Sequence, residues 1–319
     1  KQSKNRSISS IWALPDSLSF SYDQEQWQHS AKGKKEKSTS TWTIKAPEKS
    51  TLWIAWGPPY LPSHSISLAK RLPSEFCKSF ILCKTREGRD VQAMKITSPS
   101  KDKAKKVVWV QARQHAWESG SSWVGEGLVE WLCGDSQEAK ELRSSSIIYY
   151  VPIMDVDNVA TGNGGKEQEP HDHNRDWSDQ PHWNSVSEAQ KIIKKHIADG
   201  SMCLFLDLHN PGPDSKETFL FLTPLDIMSE SNQASQKKFI SVLKANVTGP
   251  LPFKGKVLVS GKNYHPMWKT ISKSWFVLNA TENSCGVTIE IPWNAKGSLP
   301  KGYKQTGKEV GLTVNAFLK

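Results

Sequence analysis

Two imidazoles and a carboxylate are the side chains in this 319-residue chain best suited to hold a metal. His115 and Glu118 stand three positions apart, and His209 lies far downstream. Apolar runs at 107–112 and 203–208 precede the two histidines and predict buried strands. Because sites in open α/β sheets form at the carboxyl ends of strands, these strands would deliver their ligands to one edge. Three such ligands suit catalytic zinc, leaving a fourth position for a water that attacks a carbonyl.

The His-x-x-Glu spacing alone is a weak signal, because common polar residues often fall three positions apart by chance. Three other segments accompany it. An apolar run at 149–158 ends in acidic residues, and Asn174 and Arg175 follow an acidic loop rich in histidine. A predicted strand at 287–293 carries one carboxylate, Glu290, among apolar residues. Together with the two histidine segments, five separated motifs occur in one order along the chain.

In that order the motifs resemble the zinc metallocarboxypeptidases, or funnelins. The similarity is closer to their cytosolic and bacterial branch, which carries a β-domain ahead of the catalytic one, than to the pancreatic digestive branch. It covers roughly residues 58–319. The resemblance implies that His115, Glu118 and His209 bind one zinc ion per chain.

The resemblance also implies roles for three polar residues outside the ligand set. Asn174 and Arg175 match the clamp for a substrate's terminal carboxylate, which suits the planar guanidinium fork of arginine. Glu290 matches the general base, since a carboxylate beside an activated water can take its proton and later pass it to the leaving amine.

The chain departs from the family pattern in two ways that affect the oxyanion. Residues 155–158 read Asp-Val-Asp-Asn where relatives usually have Asn-Pro-Asp-Gly, and the following segment to residue 173 contains no arginine. Relatives place an oxyanion-stabilising arginine there, and losing one such donor costs on the order of a hundredfold in turnover. The candidates for a replacement are Lys166, Arg113 and Arg143.

Two further positions stay open at this point. The family's tyrosine before the general base has no clear counterpart, although Tyr264 is a candidate and Trp275 lies closer to Glu290 in sequence. The histidines at 171 and 173 would point the same way in an extended segment, but no further ligand with a recognisable spacing accompanies them. A polar loop that shapes the cleft is therefore favoured over a second metal site.

Three functions are compatible with these motifs. The leading one is zinc-dependent removal of a C-terminal residue from a peptide. The second is a zinc amidase or deacylase acting on N-acyl amino acids or cell-wall peptides, and either substrate would carry a free carboxylate. The third is a non-catalytic binding module, which is disfavoured because a module of this kind would not need Glu290.

Composition excludes some partners and leaves the compartment open. The formal net charge is +10, but the cations are scattered among acids, so nucleic-acid binding is not expected. The chain has no apolar run long enough for a membrane span. Its 14 tryptophans permit stacking on a ligand, although their large apolar area favours the core. The five cysteines show no disulfide or metal framework, with only a Cys77–Cys83 bridge left open. Because the chain begins with Lys1, its natural start is expected to have been removed, and secreted, periplasmic and cytoplasmic locations stay open.

The sequence predicts two domains with a boundary near residue 58. Alternating aromatic segments at 17–22, 40–44 and 51–56 predict a small all-β sandwich over residues 1–57. Residues 58–319 are predicted to form an α/β domain, a mixed twisted sheet flanked by helices.

Several elements of the larger domain have their own signals. A hairpin is predicted from strands at 78–84 and 91–96, and helices at 121–133 and 310–318. A capping box starting at Ser185 predicts the start of another helix that runs to Ile197.

Overall fold

The N-terminal part of the chain is antiparallel β structure, which confirms the prediction from its alternating segments. In the computed structural model, which describes residues 14–37, 39–45, 51–99 and 104–319, β1 pairs with both β2 and β5, and β3 pairs with β4. The predicted strand segments at 17–22, 40–44 and 51–56 each contain or overlap one of these strands. The five strands are β1 (Ser19–Ser21), β2 (Gln28–His29), β3 (Lys34–Glu36), β4 (Thr39–Thr41) and β5 (Trp53–Ala55).

The remainder of the described chain is built around one mixed sheet, as predicted. Its strand order is β12-β11-β13-β10-β8-β9-β7-β6, with a parallel centre that joins β13, β10, β8 and β9. The predicted hairpin is β6 and β7, and the two strands that precede the histidines are β8 and β10. The eight strands are β6 (Cys77–Lys84), β7 (Asp90–Ile96), β8 (Lys106–Ala112), β9 (Ser146–Val151), β10 (Met202–His209), β11 (Thr218–Leu222), β12 (Phe253–Val259) and β13 (Cys285–Glu290).

Helices cover both faces of this sheet, which explains why its central strands are continuous apolar runs. Val108 and Leu206 belong to the core on one face, whereas Trp109 and Phe205 belong to the core on the other. Successive strand residues therefore feed two separate hydrophobic layers. The α-helices of the described chain are Pro62–Arg71, Ser119–Leu132, Gln137–Ser145, Val156–Thr161, Asn184–Ala198, Glu230–Asn246, Ser272–Asn279 and Pro300–Leu318.

Two helix boundaries differ from those predicted. The C-terminal helix begins at Pro300, ten residues before the predicted start, and the added part contains Gly307, which packs against a neighbouring helix. A Cβ at Gly307 would lie 2.0 Å from the Val124 carbonyl oxygen in the neighbouring helix. The predicted capping box at Ser185 is wrong, since that helix already begins at Asn184 and its N-cap residue is Trp183.

Two expectations from composition also have a structural outcome. All five cysteines are free, so the Cys77–Cys83 bridge is not formed. In the described ranges, no helix combines the length and apolar character needed to cross a membrane.

Candidate active site

Three adjacent parallel strands bring the predicted metal ligands and base to one edge of the sheet. His209 is the last residue of β10, and it lies directly across from Glu290, the last residue of β13. On the other side of β10, strand β8 ends at Ala112 and leads into the loop that holds His115 and Glu118. The carboxyl ends of parallel strands meet at the same edge, so residues far apart in sequence become neighbours.

The loop after β8 contains one residue in the left-handed backbone conformation and is held by hydrogen bonds to two other segments. Arg113 has a φ of 65°, and its buried guanidinium donates hydrogen bonds to the carbonyl oxygens of Ala116 and Tyr60, at 2.7 and 3.0 Å. The Trp117 amide also donates to the Gly164 carbonyl oxygen at 3.2 Å. These contacts fix the loop from both sides, so its ligands do not depend on a flexible segment.

The three predicted ligand residues converge on one point. One ligand atom from each of His115, Glu118 and His209 lies within 4.8 Å of the others, and all three side chains are buried. His115 Nδ1 is 2.8 Å from Glu118 Oε1, and His209 Nδ1 is 2.7 Å from Glu118 Oε2. Burial raises the pKa of Glu118, but the two imidazoles outweigh this effect and hold it well below its usual value. A buried carboxylate between two imidazoles matches the donor set of a catalytic zinc site.

A second layer of carboxylates orients both imidazoles. His209 Nε2 lies 2.9 Å from Asp207 Oδ2, and His115 Nε2 lies 3.3 Å from Asp172 Oδ1. The Nδ1 atoms are thereby left to face the convergence point. This carboxylate–histidine arrangement is typical of metal sites, where the second layer fixes the orientation of the ligand and its tautomer. The residues present therefore fit a zinc ion.

Sequence reasoning missed these two carboxylates. Asp207 is fully buried and also accepts hydrogen bonds from Gln111, Gln114 and Ser272. It stands two residues before His209 in the same strand, where the alternation of a strand places both side chains on one face. That spacing was an available signal for Asp207, whereas Asp172 comes from a loop whose path no local pattern specifies.

Glu290 has the environment that a proton-accepting carboxylate requires. Its side chain is buried, and its Oε2 atom has no hydrogen-bond partner. Burial raises the pKa of Glu290 to about 7, and the Glu118 carboxylate adds to the increase while His209 opposes it. A group with a pKa near neutrality is well suited to general acid–base catalysis at physiological pH.

Asn174 and Arg175 lie beside the ligand set on the 3₁₀ turn His173–Arg175. The Asn174 amide lies 3.3 Å from His209 Nε2, and its Oδ1 accepts a hydrogen bond of 3.0 Å from the Ser272 amide. Asn174 thus joins the loop to the helix that begins at Ser272. The Arg175 side chain is mostly buried, and its Nε has no partner. A buried guanidinium with an unsatisfied donor is suited to bind an incoming carboxylate.

The three candidates for the missing oxyanion cation have very different positions. Lys166 Nζ lies 3.7 Å from Glu118 Oε1 and 6.0 Å from the centre of the Trp117 ring. The Arg113 guanidinium is buried and donates instead to the carbonyl oxygens of Ala116 and Tyr60, so it holds the loop that follows β8. Arg143 is buried away from the ligand residues, where it donates to the carbonyl oxygens of Leu132 and Gly134.

The histidine-rich loop serves to position other groups. His171 Nε2 lies 2.6 Å from Asp176 Oδ1, and the buried His173 stacks on Trp183 with ring centres 4.7 Å apart. Across the described ranges, the only group of three or more metal-ligating side chains is the one formed by the predicted ligands. The polar-loop interpretation is thus favoured over a second metal site.

Tyr264, Trp275 and Lys273 have three different environments. Tyr264 is 47% exposed and packs on Phe221, while Trp275 is buried in the core. Lys273 was not singled out from the sequence. It is fully buried, its Nζ donates a 2.6 Å hydrogen bond to the Ser260 hydroxyl, and burial lowers its pKa to about 7.

Comparisons with known proteins identify zinc carboxypeptidases as relatives of this chain. Residues 65–202 match the protein family described as zinc carboxypeptidase. Cytosolic carboxypeptidase 3 of Mus musculus is 30% identical over 268 residues, which cover 78% of this chain and 26% of that protein. Cytosolic carboxypeptidase 2 of Homo sapiens is 29% identical over 194 residues, covering 57% of this chain and 21% of that protein. The chain thus spans about a quarter of the length of these relatives.

Solved structures show the same fold. A metallo-carboxypeptidase from Burkholderia cenocepacia superposes with a TM-score of 0.79 at 20% identity, over 98% of this chain and 82% of the other. A metallo-carboxypeptidase from Pseudomonas aeruginosa gives a TM-score of 0.78 at 21% identity, over 97% and 81% of the two chains.

The mixed sheet, with two histidines and two glutamates gathered at one edge, defines an α/β protein with a candidate metal site. The family match over residues 65–202 and the cytosolic carboxypeptidase relatives identify a zinc carboxypeptidase domain in this chain.

Proposed function

We propose that the protein is a zinc-dependent carboxypeptidase that removes the C-terminal residue of a peptide. The observation that carries the proposal is the convergence of His115, Glu118 and His209 at one sheet edge, with Glu290 directly across from His209. The relatives support a peptide substrate, since both proteins compared above are carboxypeptidases. No feature of the site favours the amidase or the non-catalytic alternative.

In this proposal His115, Glu118 and His209 hold the zinc ion. When bound, zinc supplies a Lewis acid that lowers the pKa of water and polarises the substrate carbonyl. Glu290 accepts the proton of the attacking water through its unpartnered Oε2 and then delivers it to the leaving amine.

Substrate binding is assigned to the residues beside this base. The Arg175 guanidinium pairs with the terminal carboxylate of the peptide and is positioned by the Asn174 carbonyl oxygen, to which it donates. The Asn174 side chain accepts from the Ser272 amide and lies against His209. The Lys166 ammonium stabilises negative charge on the carbonyl oxygen, as the family's arginine would.

We also propose a cytosolic location. The relatives' names support it, and so do five thiols that remain reduced in the structure, as is usual for proteins of a reducing compartment.

The test compares one N-acetylated peptide with a free C-terminal carboxylate and the same peptide as its C-terminal amide, using zinc-reconstituted protein. Products are identified by mass spectrometry. We expect the free acid to be shortened by one residue and the amide to be cut far more slowly, because Arg175 would remain buried without its anion.

Arg175→Ala serves as the matched variant. It should slow cleavage of the free acid selectively and leave the rate on the amide nearly unchanged. Equal rates on acid and amide with the unmutated protein would refute the carboxypeptidase assignment, and cleavage of N-acyl amino acids alone would favour the amidase.

A further inference from the structure

The side chain of Asn210 lies at the point where β10, the strand that carries His209, ends. It is buried, with 2% of its surface exposed, and both ends of its amide are hydrogen-bonded. Its Oδ1 accepts a hydrogen bond of 2.9 Å from the Ser121 amide, and its Nδ2 donates one of 2.6 Å to the Ile291 carbonyl oxygen. Since one partner is a donor and the other an acceptor, a carboxamide satisfies both, whereas a carboxylate or a methyl group cannot.

The two partners of this amide belong to the segments that carry the predicted ligand Glu118 and the predicted base Glu290. Ser121 lies in the first turn of a helix whose N-cap residue is Glu118. It also donates to the Glu118 carbonyl oxygen at 3.2 Å. Ile291 directly follows Glu290 at the end of β13. The Asn210 side chain therefore joins the two segments through hydrogen bonds to one backbone group of each.

This link connects residues that strand pairing alone does not fix relative to one another. His209 and Glu290 are paired in the β10–β13 ladder, and the Ile291 amide extends it by donating to the His209 carbonyl oxygen at 2.9 Å. Glu118 instead follows β8, which is separated from β13 by β10. The Asn210 side chain thus supplies a cross-link at the edge where the ligand and the base both lie.

The backbone of Asn210 adds a third contact to the same group. Its amide donates to Glu118 Oε2 at 3.2 Å. Because this hydrogen bond comes from the main chain, it does not depend on the side chain at position 210. A substitution of Asn210 therefore breaks the link between the two segments while a direct contact to the Glu118 carboxylate is retained.

We propose that Asn210 is a positioning residue that sets the separation between the ligand Glu118 and the base Glu290. The proposal rests on the carboxypeptidase function proposed above, in which Glu290 takes a proton from a water at the ligand set. This transfer requires the carboxylate to lie within hydrogen-bond reach of that water. A displacement of about 1 Å in a reacting group can reduce turnover about a hundredfold. Asn210 acts through the two segments that it holds.

Asn210→Ala tests this role with the N-acetylated free-acid peptide. We expect kcat to fall roughly ten- to a hundredfold with little change in KM, because the base is displaced while Arg175 still binds the terminal carboxylate. Zinc affinity, measured by competition with a chelator, should fall by less than the roughly tenfold loss seen when a group bonded to a metal ligand is removed. Glu118 keeps its backbone contact and both imidazoles in this variant.

Asn232→Ala is the matched control. Asn232 is also a buried asparagine, and its Oδ1 accepts a hydrogen bond of 2.9 Å from the Ser284 amide, just before the opposite end of β13. This variant should lose stability without losing kcat. If Asn210→Ala fails to fold, Asn210→Asp takes its place in each measurement, since it keeps the size and the acceptor for Ser121 but cannot donate to Ile291.

A double-mutant cycle separates the positioning of Glu290 from a general structural effect. In Glu290→Gln the base is already lost, so adding Asn210→Ala should lower the residual kcat no further. An equal loss of kcat in both backgrounds would refute the positioning role, and so would an unchanged kcat in the single variant.

Crystal structures of the zinc-loaded unmutated protein and of Asn210→Ala test the geometry without turnover. If the unmutated protein does not cleave the peptide, the carboxypeptidase function fails, and these structures then decide on the positioning role. We expect the distance between the Glu118 and Glu290 carboxylates to change by about 1 Å in the variant. An unchanged distance would overturn the proposal.

Discussion

In the proposed mechanism, the Lys166 ammonium takes the place of the guanidinium of the family's oxyanion arginine. An ammonium is a compact charge without the bidentate fork of a guanidinium, so it stabilises an oxyanion through charge and a single direct contact. Its 3.7 Å separation from Glu118 Oε1 sets it at the ligand set, where negative charge would develop during attack on a carbonyl. A lysine in this role would keep a positive charge beside the carbonyl oxygen but would change the number and direction of the hydrogen bonds to it.

We predict that Lys166→Ala lowers kcat by on the order of a hundredfold while KM changes little, because the charge acts on the transition state. Lys166→Arg should recover most of the lost turnover. Steady-state kinetics on the free-acid peptide measure both variants, with Lys78→Ala, an exposed lysine of β6, as the control. A Lys166→Ala protein with unchanged kcat would show that another group stabilises the oxyanion.

The buried Lys273 predicts a pH dependence of stability. Burial lowers its pKa to about 7 from the ordinary 10.5. Below pH 7 the lysine is protonated in both states, so the folded state bears the full cost of burying a charge. Between pH 7 and 10.5 the folded protein releases this proton before the unfolded chain does, and the contribution of Lys273 to stability improves as the pH rises.

Lys273→Met should therefore raise the free energy of unfolding by up to a few kcal/mol at pH 6 to 7. The gain should shrink as the pH approaches 10, and the lost hydrogen bond to Ser260 reduces it throughout. Urea unfolding at several pH values measures the effect. A difference between the two proteins that does not vary with pH would contradict the assigned pKa.

At the scale of elements, the sequence predicted best where a hydrophobic pattern determined the structure. Strands β8 and β10 were predicted because a strand buried on both faces is a continuous apolar run. Strand β8 ends three residues before His115, and β10 ends at His209. The helix from Pro300 starts ten residues before the predicted one, and Gly307 lies in the part that the hydrophobic spacing did not include. Only the close approach of the neighbouring helix explains that glycine, and tertiary packing of this kind leaves no local signal.

The residues around the site also differ in how well the sequence predicts them. His209 and Glu290 end strands, and His115 and Glu118 follow one, so all four could be located from the sequence. Lys273 could not, because a lysine in a helix is usually a solvated residue and its burial depends on the contacts of the whole fold.

Gly165 lies where the loop that carries Lys166 packs against the loop that carries His115 and Glu118. Its φ is 83°, and a Cβ there would lie 2.5 Å from Asp155 Oδ2 and 2.7 Å from the Ala116 amide nitrogen. Gly165→Ala should push the two loops apart, lower kcat at least tenfold, and cost roughly 1–3 kcal/mol of stability.

Gly200→Ala is the matched control for this variant. Gly200 also has a positive φ, 73°, but its added Cβ meets nothing within 4 Å. It should lose stability without losing turnover. If both variants reduced kcat alike, the effect of Gly165 would be a general loss of stability rather than a displacement of Lys166.

For the whole molecule, the contact between the N-terminal β region and the sheet domain has a definite chemistry. The Asn294 side chain accepts a hydrogen bond of 2.9 Å from the Asp16 amide and donates one of 2.7 Å to the Ser17 carbonyl oxygen. Lys216 adds an ion pair of 3.2 Å to the Asp16 carboxylate. Because Asn294 lies four residues after Glu290, this contact joins the N-terminal region to the segment that leaves β13 at the candidate site.

Removing the Asn294 amide should loosen that contact, because two backbone groups of the N-terminal region lose their partner at once. We predict that Asn294→Ala speeds limited proteolysis between residues 14 and 57 several-fold, because the N-terminal region is less firmly held against the sheet domain. Gel analysis of timed digests measures this effect. Asn279→Ala, which breaks only a 2.8 Å hydrogen bond to the Trp275 carbonyl oxygen within one helix, should leave the N-terminal region as resistant as before. Identical digestion of the two variants would mean that contacts other than the Asn294 amide hold the N-terminal region in place.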